Sequence, residues 1–281
     1  RNSYNMTMNI EKKTVDPSTH VGHVIDPQRP VLSVSMERRG AELVTRHAHL
    51  RGQLLYAIRG VMRTTTDKGA WLVPPAQAVW IPPGMMHEVE MTQPVSFRSI
   101  YIDPAYIDGL PGSCCVLRVT PLLRAMILEA SRIGNEYAKG GAEWRLMVVI
   151  VDQLQKIEQF PFHLPFSDEP RIRRIIDTLA ANPADDQTLA EWATHAGASE
   201  RTLGRLFLKH LGMSFGSWRR RLRLLEAMNR LADGAAVNEV AFELGYASPS
   251  AFIAMFRESL GEPPARFFNE SNRNWVADAR K

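Results

Sequence analysis

The sequence contains few cysteines and no long apolar segment. Its 281 residues include two cysteines, Cys114 and Cys115, which are adjacent. Adjacent cysteines rarely bridge each other without backbone strain, and two thiols do not make a disulfide scaffold, so a reducing cytoplasm is the expected location. No apolar run approaches the roughly 18 to 20 residues that a membrane-spanning helix needs. The first residues, RNSYNMTMNIEKK, lack the apolar segment of a secretory signal, and we predict no membrane association.

The sequence also lacks a large excess of charge of either sign. The formal net charge is +4, from 34 basic and 30 acidic residues, which disfavours a non-specific architectural DNA-binding protein because that class is more basic. Basic residues are nevertheless concentrated between Ser199 and Arg223, where they outnumber the acidic residue Glu200. This basic segment contains Arg201, Arg205, Lys209, Arg219, Arg220, Arg221 and Arg223. Such a segment attracts phosphate even when the whole domain is nearly neutral.

Residues 31–103 have the pattern of a β-rich domain. The short segments, separated by glycine, proline or Asp-Lys-Gly, are VLSVSM, GQLLYAI, VMRTTT, AVWIPP and VSFRSIYI. They are rich in β-branched and aromatic residues, which favours strands. Many short strands with turn signals between them predict a β-barrel or a β-sandwich.

The pattern changes to helical after this region. PLLRAMILEASRIG and EWRLMVVIVDQLQKI have helical spacing and are apolar on more than one side, so each should pack against the barrel, a partner subunit, or both. The proline-containing stretch that follows reads as a linker. We therefore predict an α+β fold with an N-terminal tail (residues 1–20), a sensing domain with trailing dimerisation helices (21–160), a linker (161–169) and an all-α domain (170–281).

The all-α region contains an internal repeat. GASERTLGRLFLKHLG, residues 197–212, aligns with YASPSAFIAMFRESLG, residues 246–261. Ser199 then matches Ser248, and Phe207 matches Phe256, while LAEWATHAG and VNEVAFELG match upstream. Each copy reads as a short helix, a glycine-containing turn, a serine cap and a second helix, which is the pattern of a helix-turn-helix unit.

The second helix of each copy has an apolar face and a polar face. Helical spacing places Leu203, Leu206, Phe207, His210 and Leu211 on the core face of the first copy. The predicted DNA-binding residues are Arg201, Thr202, Arg205 and Lys209 in the first copy, and Ser250, Ala251, Ala254 and Arg257 in the second. Arginine can contact guanine through two hydrogen bonds, so the first copy should contribute most base discrimination. The segment SWRRRLRLLEAMNRLADG should form a rigid spacer that holds the two helices about 34 Å apart, in successive major grooves.

These motifs resemble the AraC family of bacterial transcription regulators. The resemblance rests on SERTLGRLFLKHLGMSFGSWRRRLRL and VNEVAFELGYASPSAFIAMFRESLGEPPARF, and more loosely on HAHLRGQLLYAIRG and VWIPPGMMHEV, which are similar to a cupin-type sensing domain. The resemblance implies a cytoplasmic, ligand-responsive regulator that binds double-stranded promoter DNA, often as a homodimer. It also implies a regulator, either an activator or a repressor, that contacts RNA polymerase at the promoter and responds to a small-molecule effector.

The cupin-like motifs contain three histidines. His47, His49 and Gly60 fit the first cupin motif, with Gln53 at the position of the usual glutamate, and His87 completes the second motif. Alternate residues of a strand face the same side, so His47 and His49 could converge with His87 inside a barrel. Three imidazoles and the Gln53 oxygen could bind Zn, Ni, Fe or Mn. Alternatively, the histidines persist as packing elements of a barrel that binds an organic effector, with Arg51, Tyr56 and Trp80 as candidate contacts.

A metal-dependent cupin enzyme fused to a DNA-binding domain is the competing interpretation. It requires a catalytic base near the histidines, and the candidates are Glu42, Glu88 and Glu90. Charged residues near strands usually face solvent, so we predict a regulator without a catalytic residue.

Overall fold

The structure is a computed structural model that describes residues 13–15, 21–75, 77–91, 94–157, 159–160, 163–232 and 234–268. These residues divide into two compact units, one formed mainly by the chain up to residue 163 and the other by the chain from residue 164. The division falls within the predicted linker, residues 161–169. Most of the predicted tail, residues 1–20, and the end of the chain, residues 269–281, lie outside the described residues. No helix in the described part of the chain is long and apolar enough to cross a membrane.

The first unit is rich in β-structure, and the strands of the described residues form two six-stranded sheets. The strands are β1 (Lys13–Val15), β2 (Val31–Arg38), β3 (Glu42–His47), β4 (Gly52–Arg59), β5 (Met62–Thr66), β6 (Gly69–Val73), β7 (Gln77–Ile81), β8 (His87–Met91), β9 (Val95–Ile102), β10 (Cys115–Arg118), β11 (Gln159–Phe160) and β12 (His163–Pro165). One sheet has the order β1-β3-β8-β5-β6-β12, and the other has the order β11-β10-β7-β4-β9-β2. Short 3-10 helices lie between β1 and β2, at Val21–His23, and between β9 and β10, at Pro104–Tyr106.

Two helices cover the outer face of the second sheet. They are α1 (Pro121–Ile133) and α2 (Ala142–Leu154), and α1 begins where the Thr120 hydroxyl accepts the N–H of Leu123. Their buried residues form one core with the sheet, which includes Leu54, Tyr56, Ala78, Trp80, Ile127 and Ile150. Packing of these helices against the sheet is therefore confirmed, and alternation along β4 turns Gln53 and Leu55 to the opposite, inner face.

The second unit is helical, so the α+β class is confirmed. Its helices are α3 (Pro170–Ala181), α4 (Leu189–His195), α5 (Glu200–Leu211), α6 (Phe215–Ala232), α7 (Val237–Glu243) and α8 (Pro249–Leu260). The predicted serines cap the second helix of each repeat, since Ser199 accepts the N–H of Thr202 and Ser248 accepts the N–H of Ala251. Both helices end at a glycine in the left-handed conformation, Gly212 at φ 68° and Gly261 at φ 85°, where a side chain would be strained.

The repeat is also present in the packing of the two copies. Phe207 and Phe256, which the alignment pairs, are both fully buried, and α4 packs against α5 as α7 packs against α8. The predicted core face of α5 needs one correction. Leu203, Phe207 and Leu211 are buried, but His210 is exposed and Leu206 is half-buried. The buried residues are four positions apart, so about one residue in each turn of α5 faces the core.

Candidate DNA-binding surface and histidine site

The predicted DNA-binding face of α5 is open to solvent. Arg201, Arg205 and Lys209 are exposed, and none of them faces the core. Thr202 is half-buried, and its hydroxyl lies 2.9 Å from Ser199 Oγ, so this residue belongs to the helix cap. Leu208 is 59% exposed on the same helix, which adds an apolar group to a basic surface.

The corresponding face of α8 is exposed as well. Ser250, Ala251, Ala254 and Arg257 all face solvent, so the small side chains leave the helix backbone accessible to a close partner. Glu258 lies on this face and forms an exposed ion pair with Arg220 of α6, at 3.6 Å between Oε1 and Nη1. A carboxylate on a surface that meets phosphates is unfavourable unless a cation neutralises it, and Arg220 is placed to do so.

Three arginines of α6 divide into two groups. Arg219 donates to the Gln187 carbonyl at 2.7 Å, and Arg223 donates to the carbonyls of Pro183 and Asp185 at 2.7 and 2.9 Å, so both hold the loop between α3 and α4. Arg220 is exposed instead. A cleft of about 430 Å³ lies beside these residues and is lined by Arg219, Arg220, Arg223, Tyr246, Ala251 and Ala254. Its positive rim therefore borders the predicted DNA-binding face of α8.

The three predicted histidines converge in the first unit. His47 is the last residue of β3, His49 lies in the following turn, and His87 begins β8. One candidate ligand atom from each lies within 4.8 Å of the other two, and among the described residues these three form the cluster that could hold a metal ion. Their ring centroids are 4.2 Å apart for His47 and His87 and 5.1 Å apart for His49 and His87.

Backbone carbonyls orient all three rings in the same way. Nδ1 lies 2.7 Å from the Thr45 carbonyl in His47, 2.5 Å from the Arg51 carbonyl in His49 and 2.8 Å from the Met85 carbonyl in His87. A carbonyl oxygen only accepts hydrogen bonds, so each Nδ1 carries the proton and each Nε2 keeps its lone pair. Burial lowers the pKa of His47 and of His49, which also favours neutral rings. Metal-binding histidines show this arrangement of a fixed Nδ1–H and a lone pair on Nε2.

Gln53 joins the cluster, as predicted from its place in the motif. Its Oε1 lies 3.0 Å from His49 Nε2, and its Nε2 donates to Ser99 Oγ at 2.5 Å and to the Tyr101 hydroxyl at 3.1 Å. A neutral His49 and the amide oxygen then present lone pairs to each other. A cation between the two atoms would satisfy both, as would an amide rotated by half a turn. Ser99 and Tyr101 were not identified from the sequence, because only the register of β4 against β9 brings them to Gln53.

The three predicted effector contacts lie elsewhere. Arg51 is fully buried, donates to the carbonyls of Val24 and Arg29, and pairs with Asp103 at 3.1 Å, so its guanidinium holds loops together and does not line a ligand pocket. Tyr56 and Trp80 are buried in the core between the sheet and the helices α1 and α2. The prediction that these residues surround an effector beside the histidines is corrected, because alternation along the strands turns the two aromatic side chains to the other face.

Comparison with known proteins places both units in one family. Residues 36–139 match the model of an AraC-like ligand binding domain, and residues 192–270 match the model of a helix-turn-helix domain. The HTH-type transcriptional regulator NimR of Escherichia coli is 38% identical over 222 residues, which cover 79% of this chain and 81% of NimR. The chain belongs to the AraC family of transcriptional regulators.

More distant relatives match parts of this AraC-family regulator. The HTH-type transcriptional regulator RipA of Corynebacterium glutamicum is 37% identical over 103 residues, 37% of this chain and 31% of RipA. Among solved structures, unsaturated fatty acid-bound ToxT from Vibrio cholerae overlaps with 12% identity and a TM-score of 0.35, over 84% of this chain and 94% of ToxT. The two family matches and the similarity to NimR identify the chain as a transcription regulator with a helix-turn-helix domain and a ligand-binding domain.

The candidate catalytic bases do not join the histidines of this regulator. Glu88 and Glu90 alternate with the buried His87 and Val89 along β8 and are half-buried on the opposite face, where Glu90 pairs with Arg63. Glu42 pairs with Arg38 at 3.1 Å between Oε2 and Nε. None of the three carboxylates predicted as a general base therefore lies within the histidine cluster.

Proposed function

We propose that this regulator reads promoter DNA in a sequence-specific way through α5 and α8, and that its ligand-binding unit responds to a metal ion or small molecule at the histidine cluster. The observation that carries the DNA-binding part is the exposure of Arg201, Arg205 and Lys209 on a helix whose other face is buried by Leu203 and Phe207. A helix fixed in this way presents its donors to a major groove.

The two recognition helices would read DNA by different chemistry. Arg201 and Arg205 each supply a guanidinium that can bind guanine O6 and N7, while Lys209 contacts phosphate. Ala251 and Ala254 on α8 are suited to thymine methyl groups and to close backbone approach. Arg257 and the rim of the cleft beside α8 supply further phosphate contacts. Base discrimination should therefore be concentrated in the half-site bound by α5.

Selection of bound sequences from a random DNA library tests this assignment. The wild-type regulator should select two half-sites about one helical turn apart, and Arg201→Ala with Arg205→Ala should lose the preference at the first half-site. Arg39→Ala serves as a control, because Arg39 is an exposed arginine of the loop between β2 and β3. An unchanged selection by the double variant would refute the role of α5.

The histidine cluster supports a metal ion as one candidate ligand of the sensing unit. Three Nε2 lone pairs and the Gln53 oxygen make four donors, which suits Zn²⁺ and also Ni²⁺, Fe²⁺ or Mn²⁺. Zinc–nitrogen bonds are about 2.0–2.1 Å long, so two nitrogens on one ion can be at most ~4.2 Å apart. The cluster spans 4.8 Å, so its most distant pair would close slightly on binding. A bound ion would act as a Lewis acid that also links β3 to β8.

An organic effector is the second candidate, and it has its own support. Residues 36–139 of this chain match the model of an AraC-like ligand binding domain, and Ser99 and Tyr101 add hydroxyl groups beside Gln53. Elemental analysis of protein prepared without chelator separates the two. One equivalent of metal that is lost in His87→Ala supports the metal. Metal-free protein that loses regulation in His47→Ala supports an organic effector at the cluster, and unchanged regulation in that variant would assign the histidines to the scaffold.

We further propose that the regulator acts as a homodimer through α1 and α2 and contacts RNA polymerase as an activator. Leu122 of α1 and Val149 of α2 are 58% and 40% exposed, so the helix pair keeps apolar groups outside the core that it shares with the sheet. Sedimentation of wild-type protein and of Leu122→Glu with Val149→Glu tests the dimer. A monomeric wild-type protein would contradict it.

A further inference from the structure

A second cleft of about 330 Å³ lies in the helical unit, between the start of α3 and the end of α4. Its lining includes Arg171, Arg174, Ile175, Trp192, His195 and Ala196. None of these residues belongs to the predicted DNA-binding faces of α5 and α8. The volume falls at the lower end of the range for small-molecule sites, so the cleft is large enough for a compact organic ligand.

The charged side chains of this cleft are hydrogen-bond donors. Arg174 is exposed and has no carboxylate within ion-pair distance among the described residues. Arg171 lies 3.8 Å from Glu169, but the other Glu169 oxygen already accepts the N–H of Ile172 at 2.9 Å as the cap of α3. Two guanidinium groups therefore have capacity for another acceptor, and the cleft favours a negatively charged ligand.

Trp192 supplies an independent indication of a ligand. The side chain lines the cleft and is 6% exposed, yet its indole N–H is buried without a hydrogen-bond partner among the described residues. Phenylalanine would fill much of the same space without such a donor. A buried donor without a partner is unfavourable, and buried tryptophans usually place this N–H against an acceptor, so an acceptor from a ligand would relieve the cost.

The remaining lining is apolar or aromatic. Ile175 and Ala196 line the cleft with the Trp192 ring, and the His195 ring packs edge-on against Trp192 with centroids 5.9 Å apart. We propose that this cleft binds a small organic carboxylate with an apolar or aromatic body. The carboxylate would accept from Arg171 and Arg174. Because the indole nitrogen is buried, a small rotation of the Trp192 ring would let it donate to the same carboxylate, and the body would lie against Ile175 and the two rings.

The position of the cleft gives such a ligand a route to the first recognition helix. α4 packs against α5, and α3 also contacts α5. A carboxylate held by Arg174 of α3 and Trp192 of α4 would therefore fix two helices that support α5. This binding reaction is independent of the histidine cluster and can be measured without DNA.

The test uses the full chain labelled with 5-fluorotryptophan, in which the six tryptophans give separate ¹⁹F resonances and Trp192→Phe assigns the relevant one. Sodium benzoate should shift the Trp192 resonance in a saturable way, while benzamide, its neutral isostere, should not. Arg171→Gln and Arg174→Gln should each weaken benzoate about tenfold, as expected for the loss of one charged hydrogen bond. Arg173→Gln is the control, since Arg173 lies on the same helix but pairs with Asp168 and Asp177.

Several outcomes would overturn the proposal. They are the absence of a saturable shift, an equal shift with benzamide, or an unchanged affinity in both Arg171→Gln and Arg174→Gln. A shift produced equally by inorganic phosphate or by duplex DNA would reassign the cleft to a phosphate contact. If Trp192→Phe does not fold, the two arginine variants, checked by circular dichroism, still decide between these outcomes.

Discussion

His47 and His87 lie directly opposite each other on the paired strands β3 and β8. The register shifts between Val44 and His47, so an irregularity in β3 brings His47 to this position next to the turn that carries His49. Strand pairing holds two of the rings, and the turn adds the third. The cluster is therefore built into the backbone of the sheet, and only its most distant pair would have to close slightly on a bound ion.

Gln53→Glu should strengthen metal binding at this cluster. The substitution keeps the length of the side chain and adds the negative charge that a divalent ion prefers, and Ser99 and Tyr101 can donate to the new carboxylate as they contact the amide now. Competition against a chromophoric chelator should show tighter zinc binding than in the wild type. Gln53→Leu is the matched control and should bind more weakly, and equal affinities in all three proteins would exclude residue 53 as a ligand.

The ion pair between Arg51 and Asp103 should be a main determinant of the stability of the sensing unit. Both side chains are almost fully buried, at 0% and 1% exposure, and Asp103 also accepts the N–H groups of Asp26 and Ala105. Removing one partner of a buried pair costs about 3–5 kcal/mol, so Asp103→Ala should lower the free energy of unfolding by this amount in guanidinium titrations.

An exposed pair provides the comparison for that experiment. Glu129 and Arg132 are an i,i+3 pair on α1 in which both side chains face water. Water screens such pairs, so Glu129→Ala should change stability far less than Asp103→Ala. Similar losses in the two variants would show that burial of the Arg51 pair is not what stabilises the unit.

Cys114 and Cys115 should not react in the folded protein. Both are buried, and burial raises the pKa of the Cys114 thiol to about 12 and that of the Cys115 thiol to about 11. A raised pKa keeps the thiol protonated at neutral pH, and the thiolate is the reactive form. Ellman's reagent should therefore label neither residue until guanidinium is added, whereas Ser250→Cys, an exposed control, should react at once. Labelling of two native thiols would contradict the burial of this pair.

The helical unit could be predicted in detail because its determinants are local in sequence. Ser199 and Ser248 cap helices by accepting the N–H three residues ahead, and Gly212 and Gly261 end them. The repeated burial of one face of each helix then follows from the 3.6-residue period. The placement of His210 on the core face of α5 is the wrong prediction in this region, because helical spacing alone does not show how many residues of each turn are buried.

The histidine site could be predicted only in part, because strand pairing decides the rest. Gln53 meets Tyr101 across 48 residues of sequence, and a register of this kind leaves no local signal. Tyr56 is different, since its offset of three positions from Gln53 on the same strand already places it on the other face. Arg51 precedes β4, so strand alternation does not apply to it, and its partner Asp103 is again distant.

Lys209 and Arg205 should contribute differently to DNA binding, although they lie on the same exposed face of α5. Lys209→Gln removes a phosphate contact, so affinity should fall by a similar factor for all sequences, and the slope of log K against log salt should decrease by about 0.9. Arg205→Ala removes a base contact and should cost about 1–3 kcal/mol on the preferred sequence, with little loss on a sequence changed at that base. Fluorescence anisotropy with a labelled duplex, repeated over a series of salt concentrations, measures both effects. Lys139→Gln, a lysine of the sensing unit, controls for the loss of one positive charge. If Lys209→Gln changes sequence preference while Arg205→Ala changes only the salt slope, then the N-terminal half of α5 does not lie in the groove as proposed, and the roles of the two residues are reversed.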